Sequence, residues 1–327
     1  MGEKTRYSRI TGWGKYLPHK VLTNQDLELM VNTSDSWILN RTGIKERRIA
    51  SAQETASTMA VHAAQEALSV ADLEPSELDL VIIATVTPDL IFPSCASLVQ
   101  DSLGATKAAA FDLNASCSGF VYALSTACQF IESGTYKNVL VVGSEVYSRL
   151  LDWHDRGTCV LFGDGAGAVV VQAADCLPGA LSFVLGSDGS KSNILFVPGP
   201  CGRDAAPSYV NMDGKGVFKF AIDIICQATK EAIAAAHLEP SDISLVIPHQ
   251  ANARILKTAA KLLDLPTGKM FISMENYGNT SSASIPIALC DAVEQGKLKD
   301  GDHVVLVGFG GGLSWAALVV QWGQKDL

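Results

Sequence analysis

A stretch of this chain returns 165 residues later. Glu66 to Ile83 (EALSVADLEPSELDLVII) and Glu231 to Pro248 (EAIAAAHLEPSDISLVIP) agree at ten of eighteen positions. Under the same shift Val139–Gly143 falls on Val304–Gly308, and Asn114 falls on Asn279 within the segments DLNASCSGFVYAL and YGNTSSASIPIAL. A repeat of roughly 20–50 residues would describe a solenoid. Two long copies, each about half of the 327 residues, describe one globule with an internal two-fold axis. Such an axis brings equivalent loops together. Cys117 in the first copy, and His249 and Asn279 in the second, all stand where an element meets a loop.

Within each copy, helical spacing alternates with short apolar runs. The first copy predicts helices over 55–68, 92–103 and 117–132, with strands over 80–85, 108–112, 139–145 and a glycine-led 163–172. The second predicts helices over 217–236, 251–263 and 281–295, with strands over 245–248, 304–308 and 316–321. This alternation implies layered α/β with buried, mostly parallel sheets. Two such units face to face give a duplicated five-layer αβαβα sandwich with pseudo-two-fold symmetry, its halves spanning 1–175 and 176–327. Residues 177–216, rich in Gly and Pro, have no repeat partner and read as an insertion over a pocket.

Composition narrows the function classes. A net charge of −9 opposes broad nucleic-acid binding. The N-terminal MGEKTRYSRITGWG has no apolar core of a secretory signal, and the most apolar stretch, 304–320, is broken by glycines. A soluble, cytoplasmic protein is expected, without membrane or nucleic-acid partners. Eight cysteines contain no C-x-x-C pair, so zinc knuckles and redox motifs are disfavoured, no metal is expected, and most thiols should be buried packing groups.

Cys117 is the exception. It lies in Asn114-Ala-Ser-Cys-Ser-Gly-Phe120, after a strand and before an apolar helix. A thiol at a helix N-terminus meets unpaired N–H groups that favour its thiolate, a good nucleophile toward thioesters. His249 ends a sheet strand, a good position for chemistry. Asn279 alone would read as a turn residue or cap; its register with Asn114 raises it. GDGAGA at 163–168 precedes a strand and lacks dinucleotide spacing, and GFGGG at 308–312 is no phosphate loop. The latter turn can offer backbone N–H groups to a thioester oxygen. Arg41, Lys45, Arg47 and Arg48 crowd one stretch, and Arg254, Lys257 and Lys261 share a helix face. Both clusters read either as solvated faces or as landing sites for phosphate or an acidic carrier. Trp37 could stack a flat heterocycle or fill a core.

These segments together resemble the β-ketoacyl-acyl-carrier-protein synthase III family of the thiolase superfamily. The resemblance runs nearly end to end and includes Ser36–Arg47, the Cys117 segment, GDGAGA, His249–Arg254, Gly278–Ser281 and GFGGGLSW. It implies a thiolase-like fold, a homodimer, and no cofactor beyond the substrates, acyl-CoA and malonyl-acyl-carrier protein. It further implies a catalytic Cys117, His249 and Asn279, with the backbone of Cys117 and Gly311 holding the oxyanion. Trp37 and Arg156 would sandwich adenine, and Arg41 and Arg254 would meet the phosphates or the pantetheine entrance. Lys219, Arg254 and Lys261 would dock the carrier, while Phe92 and Met212 would line the acyl pocket and dimer-side wall. Two departures, Ser118 and Ala316 in place of the usual alanine and glycine, bear on acyl-chain size rather than reaction type. A reversible thiolase would need a second cysteine near the C-terminal glycine turn, and the elongating synthases use two histidines. The remaining alternatives are a specialised polyketide or secondary-metabolic relative and a non-catalytic partner subunit.

Overall fold

The computed structural model describes residues 6–175, 179–199, 201, 209–266 and 268–323. Cys176 lies outside them. The first half runs β1 (Tyr7–Tyr16), β2 (Val21–Thr23), α1 (Asn24–Glu28), α2 (Asp35–Thr42), β3 (Glu46–Arg48) and α3 (Ala56–Ala71). It continues through β4 (Leu80–Ala84), α4 (Cys95–Leu103), β5 (Ala109–Leu113), α5 (Gly119–Glu132), β6 (Asn138–Glu145) and β7 (Gly165–Ala174). The second half has β8 (Ala180–Ser187), a short β9 (Leu195–Phe196) and β10 (Asn211–Met212), then α6 (Gly214–Ala235) and β11 (Ile243–Pro248). It ends with α7 (Ala253–Leu262), α8 (Ser284–Glu294), β12 (His303–Gly310) and β13 (Ser314–Gln321).

Among the described residues two large sheets result, ordered β1-β7-β6-β4-β5 and β8-β13-β12-β11, beside the two-stranded pairs β2–β3 and β9–β10. Period-two alternation sorts their side chains between faces. Leu80, Ile82, Val139 and Val141 join Leu245, Ile247, Val304 and Leu306 around α5 and α8 in a central core. Val81, Ile83, Leu140 and Val142 face α3 and α4 on one outside, and Val246, Val305 and Val307 face α6 and α7 on the other. Three cores between five layers make the expected αβαβα sandwich.

The repeat reaches the backbone. Ser116 and Ser281, 165 apart, have φ of 51° and 52°, and Asp72 and His237 have 51° and 57°. Each of the first two opens an equivalent 3-10 turn, Ser116–Ser118 and Ser281–Ala283. The strands of each copy then reach across to the other copy's turn. A Cβ on Gly143 would lie 2.4 Å from the carbonyl oxygen of Ser282, and one on its mate Gly308 would lie 2.9 Å from the Cα of Ser118. Only glycine permits that approach.

Three expectations change. The sheets are mixed: β4–β5, β4–β6 and β11–β12 are parallel, whereas β1–β7, β6–β7, β12–β13 and β13–β8 are antiparallel. Parallel neighbours need a crossover, and no α-helix separates β6 from β7 or β12 from β13. The supposed insertion over 177–216 contains β8, an edge strand of the second sheet that pairs with β13. Helix α4 begins at Cys95 rather than Phe92, because Ser94 caps it by accepting from the Ser97 N–H.

Candidate active site

Cys117 leaves β5 on its 3-10 turn and runs straight into α5. It is 3% exposed, and its Sγ lies 3.4 Å from Ser281 Oγ and 3.9 Å from Ser116 Oγ. The two serines are repeat mates, so the pseudo-dyad passes close to the sulfur. Strand β12 closes the other side: a Cβ on Gly310 would fall 2.7 Å from the Cys117 backbone nitrogen. Gly310 lines the adjoining cavity of about 630 Å³, together with Cys117, His249 and Asn279. The nucleophile, imidazole and carboxamide expected from sequence therefore share one cavity. Gly311 lies one residue further along the turn, its carbonyl accepting from Ser314 Oγ at 3.0 Å.

His249 follows β11 directly and donates its backbone N–H to Val307 O at 2.8 Å. Its ring is edge-on to Phe309 at 5.0 Å, and Nδ1 lies 2.6 Å from Ser284 Oγ. Ser284 Oγ accepts from the Gln250 N–H with one lone pair, and its hydrogen is assigned to Nδ1. This network assigns the tautomer: the proton resides on Nε2, which has no acceptor among the described residues. Burial lowers the pKa of the ring to about 3, so the ring is a neutral donor at physiological pH.

Asn279 is held from both sides of its peptide, donating to Leu161 O at 2.8 Å and accepting from Gly163 N–H at 3.0 Å. Its Oδ1 accepts from the Ser281 N–H at 2.9 Å, which turns Nδ2 into the free end of the amide. His249 Nε2–H and the Asn279 Nδ2 amino group are thus the unclaimed donors on two side chains lining the cavity that holds Cys117.

The thiol itself departs from expectation. Helix α5, which starts two residues on, has no side-chain cap, yet burial pushes Cys117 up to about 11. The contacts with Ser281 and Ser116 pull in the other direction, while buried Glu145 adds to the rise. The free protein holds a thiol, not a thiolate.

At the cavity mouth stand Trp37, Arg41, Lys215 and Arg254. The guanidinium carbons of Arg41 and Arg156 lie 5.3 Å and 5.0 Å from the Trp37 ring centroid, and Arg156 donates to Asn32 O at 2.9 Å. Arg254 sits over Phe218 at 5.8 Å. Arg254, Lys257 and Lys261 are exposed along α7, and Lys219 is exposed on neighbouring α6. Met212 lines the cavity beside Leu195, its β10–β9 partner.

Other sequence assignments fail locally. Of the cluster at 41–48 only Arg41 reaches the mouth. Arg47 is 0% exposed and donates to Leu22 O, Asn24 Oδ1 and Val160 O, so it braces the wall instead of receiving phosphate. Lys45 pairs with Glu275, and Arg48 lies 3.7 Å from Glu46. Phe92 is 84% exposed and does not line the cavity of its own chain. Ser118 is 0% exposed and does not line the cavity, its hydroxyl meeting Ala115 O and Ser314 Oγ. Ser281, Ser284, Lys215 and Glu145 were not singled out from sequence. The 165-residue register could have found Ser281, and an acid ending the apolar run VLVVGSE could have flagged Glu145.

Residues 111–189 match the family model described as 3-Oxoacyl-[acyl-carrier-protein (ACP)] synthase III, and residues 233–322 match the model of its C-terminal part. The chain is 49% identical over 323 residues to a β-ketoacyl-[acyl-carrier-protein] synthase III of Caldanaerobacter subterraneus subsp. tengcongensis, covering 96% of this chain and 98% of the relative. Among solved structures it resembles 3-oxoacyl-[acyl-carrier-protein] synthase III from Aquifex aeolicus, with a TM-score of 0.92 and 50% identity over 96% of this chain and all of the other. It also resembles the priming β-ketosynthase of the R1128 polyketide biosynthetic pathway, with a TM-score of 0.93 and 37% identity over 98% of each chain.

Proposed function

Because the chain belongs to the 3-oxoacyl-[acyl-carrier-protein] synthase III family, we propose that it starts fatty acid synthesis by condensing an acyl-CoA with malonyl-acyl-carrier protein. It is an acyltransferase of the condensing class. Cys117 takes the acyl group, and the backbone N–H groups of Cys117 and Gly311 hold the oxyanion. The malonyl thioester then presents its carbonyl oxygen to His249 Nε2–H and Asn279 Nδ2–H. Loss of carbon dioxide puts negative charge on that oxygen, and the enolate carbon attacks the acyl-Cys117 carbonyl to give a 3-oxoacyl product. A donor of this kind contributes roughly 3–4 kcal/mol to lowering the barrier. Neutral His249 suits the role, since it gives up no proton and gains strength as charge develops.

The observation that carries this reading is the one cavity lined by all three side chains, with Trp37 and arginines at its mouth. Trp37 and Arg156 sandwich the adenine, displacing the guanidinium now resting there, while Arg41 and Arg254 meet phosphate or pantetheine. Lys219, Arg254 and Lys261 form a basic face on an otherwise acidic protein and receive an acidic carrier. Met212 lines the acyl site. Phe92, with Leu90 and Ile91, is exposed toward a second copy, whose acyl pocket it completes in a homodimer. No helix among the described residues is long and apolar enough to cross a membrane, in keeping with a cytoplasmic enzyme. Identity near 50% to proteins named 3-oxoacyl-[acyl-carrier-protein] synthase III, against 37% to the polyketide priming enzyme, favours primary metabolism.

Intact-mass analysis with a panel of acyl-CoAs tests this. Wild type gains one acyl mass and Cys117→Ala gains none; malonyl-carrier protein then releases carbon dioxide and 3-oxoacyl product. His249→Ala and Asn279→Ala keep acylation and lose condensation. Acylation without decarboxylation would reassign the chain to acyl transfer, and no adduct with any donor would make it a silent subunit.

A further inference from the structure

Acylation requires the Cys117 thiol to lose its proton, and nothing assigned so far receives it. His249 is committed as a donor at Nε2 and accepts at Nδ1 from Ser284. One path leads elsewhere. Cys117 Sγ lies 3.4 Å from Ser281 Oγ, and Ser281 Oγ lies 3.1 Å from Glu145 Oε1. Cys117 is 3% exposed, and Ser281 and Glu145 are 0% exposed. The carboxylate is gripped by hydroxyl and amide donors alone: Ser282 Oγ at 2.7 Å, Thr87 Oγ1 at 2.8 Å, Val86 N–H at 3.1 Å and Thr85 Oγ1 at 3.4 Å, besides Ser281. The titratable groups that feel it are Cys117, Tyr147 and Cys95, and none is a cation. Ser282 is the repeat mate of Cys117 and Ser281 that of Ser116. The second copy's counterpart of the nucleophile turn therefore carries the carboxylate to the first copy's sulfur.

We propose that Ser281 and Glu145 form a proton relay that activates Cys117 for acylation. The thiol proton passes to Ser281 Oγ as the Ser281 proton passes to Glu145 Oε1. The freed sulfur pair forms the S–C bond to the acyl carbon as the thioester C–S bond breaks, and the leaving thiolate takes a proton from solvent at the cavity mouth. Glu145 keeps the thiol proton until condensation expels the Cys117 thiolate, which takes it back through Ser281 Oγ and restores the carboxylate. The charge in the cavity is −1 before and after transfer, so burial, which raises both the thiol and the Glu145 carboxyl, does not oppose the exchange. The relay rests on the acyl-Cys117 step proposed above.

Alkylation of Cys117 by iodoacetamide between pH 6 and 9, read on the Cys117 peptide by mass spectrometry, tests it without any acyl donor. Wild type reacts at a rate nearly flat from pH 6 to 8, because the internal transfer supplies thiolate. Ser281→Ala and Glu145→Gln react at least tenfold more slowly at pH 7, and their rates climb about tenfold per pH unit, as expected when solvent must take the proton. Ser281→Ala leaves four other donors on Glu145 and decides the matter if Glu145→Gln does not fold. A wild-type rate that itself climbs tenfold per unit, or variants that keep the wild-type slope whatever their rate, overturn the relay. An enzyme with the flat profile that gains no acyl mass from any donor overturns the proposed function and leaves the relay standing.

Discussion

His249 illustrates how a buried side chain turns a residue-level reading into a measurable stability effect. The sequence places an imidazole at a strand end; the fold surrounds it with Phe309, Ser284 and backbone, and lowers its pKa from 6.5 to about 3. The unfolded chain binds the proton more readily, so the stability from burying a neutral ring is complete above about pH 6.5 and drains as pH falls toward the folded value. Between pH 6.5 and 4.5 this amounts to about 2–3 kcal/mol. Urea titrations should show wild type losing stability more steeply over that range than His249→Gln, whose side chain carries no titrating group. Parallel slopes for the two proteins would mean that the ring is wet or paired with an acid. The thiol gives the opposite lesson. Its location before a helix was legible, but its protonation state depends on Glu145 and Ser281, which lie 28 and 164 residues away in sequence. Arg47 was misread for a related reason: local charge density says nothing about whether an arginine points to water or into a wall.

At the scale of elements, most strands and helices could be located because an apolar run in a buried strand and a helical stripe are both local patterns. Strand direction is not local. The mixed sheets follow from connections without a helix, and β1 and β8 were missed because edge strands with half-buried faces lack a continuous apolar run. What sets the element packing is the pair Gly143 and Gly308, each in a central strand against the other copy's turn. Gly143→Ala should destabilise the protein by about 1–3 kcal/mol or more, since the clash is with backbone that moves only with α8. Gly104→Ala makes the control: its φ is +73° but nothing lies within 4 Å of a Cβ there, so a cost of only about 1 kcal/mol is expected. Equal midpoints in thermal or urea unfolding for the two variants would remove the strand-to-turn contact from the account of how the halves are joined.

At the scale of the whole molecule, duplication explains why a site can be read from a sequence whose parts lie 162 residues apart, as Cys117 and Asn279 do. The dyad that joins the copies also places three of the nine α/β core strands' ends around one sulfur: β5 leads to Cys117, β11 to His249, and β12 ends at Gly310. One surface feature does not fit a chain working alone. Leu90, Ile91 and Phe92 are 50%, 73% and 84% exposed in succession, just ahead of α4. A contiguous apolar tip of that kind marks a surface that another body covers, and the family resemblance assigns Phe92 to a dimer-side wall. Light scattering should therefore give about twice the 34.6 kDa chain mass at micromolar concentration. The double variant Ile91→Glu, Phe92→Glu should shift toward the single-chain mass and acylate poorly, because its acyl site is left open on one side. Wild type at single-chain mass, with full acylation, would mean that the tip serves something other than a second copy and that the acyl site is complete within one chain.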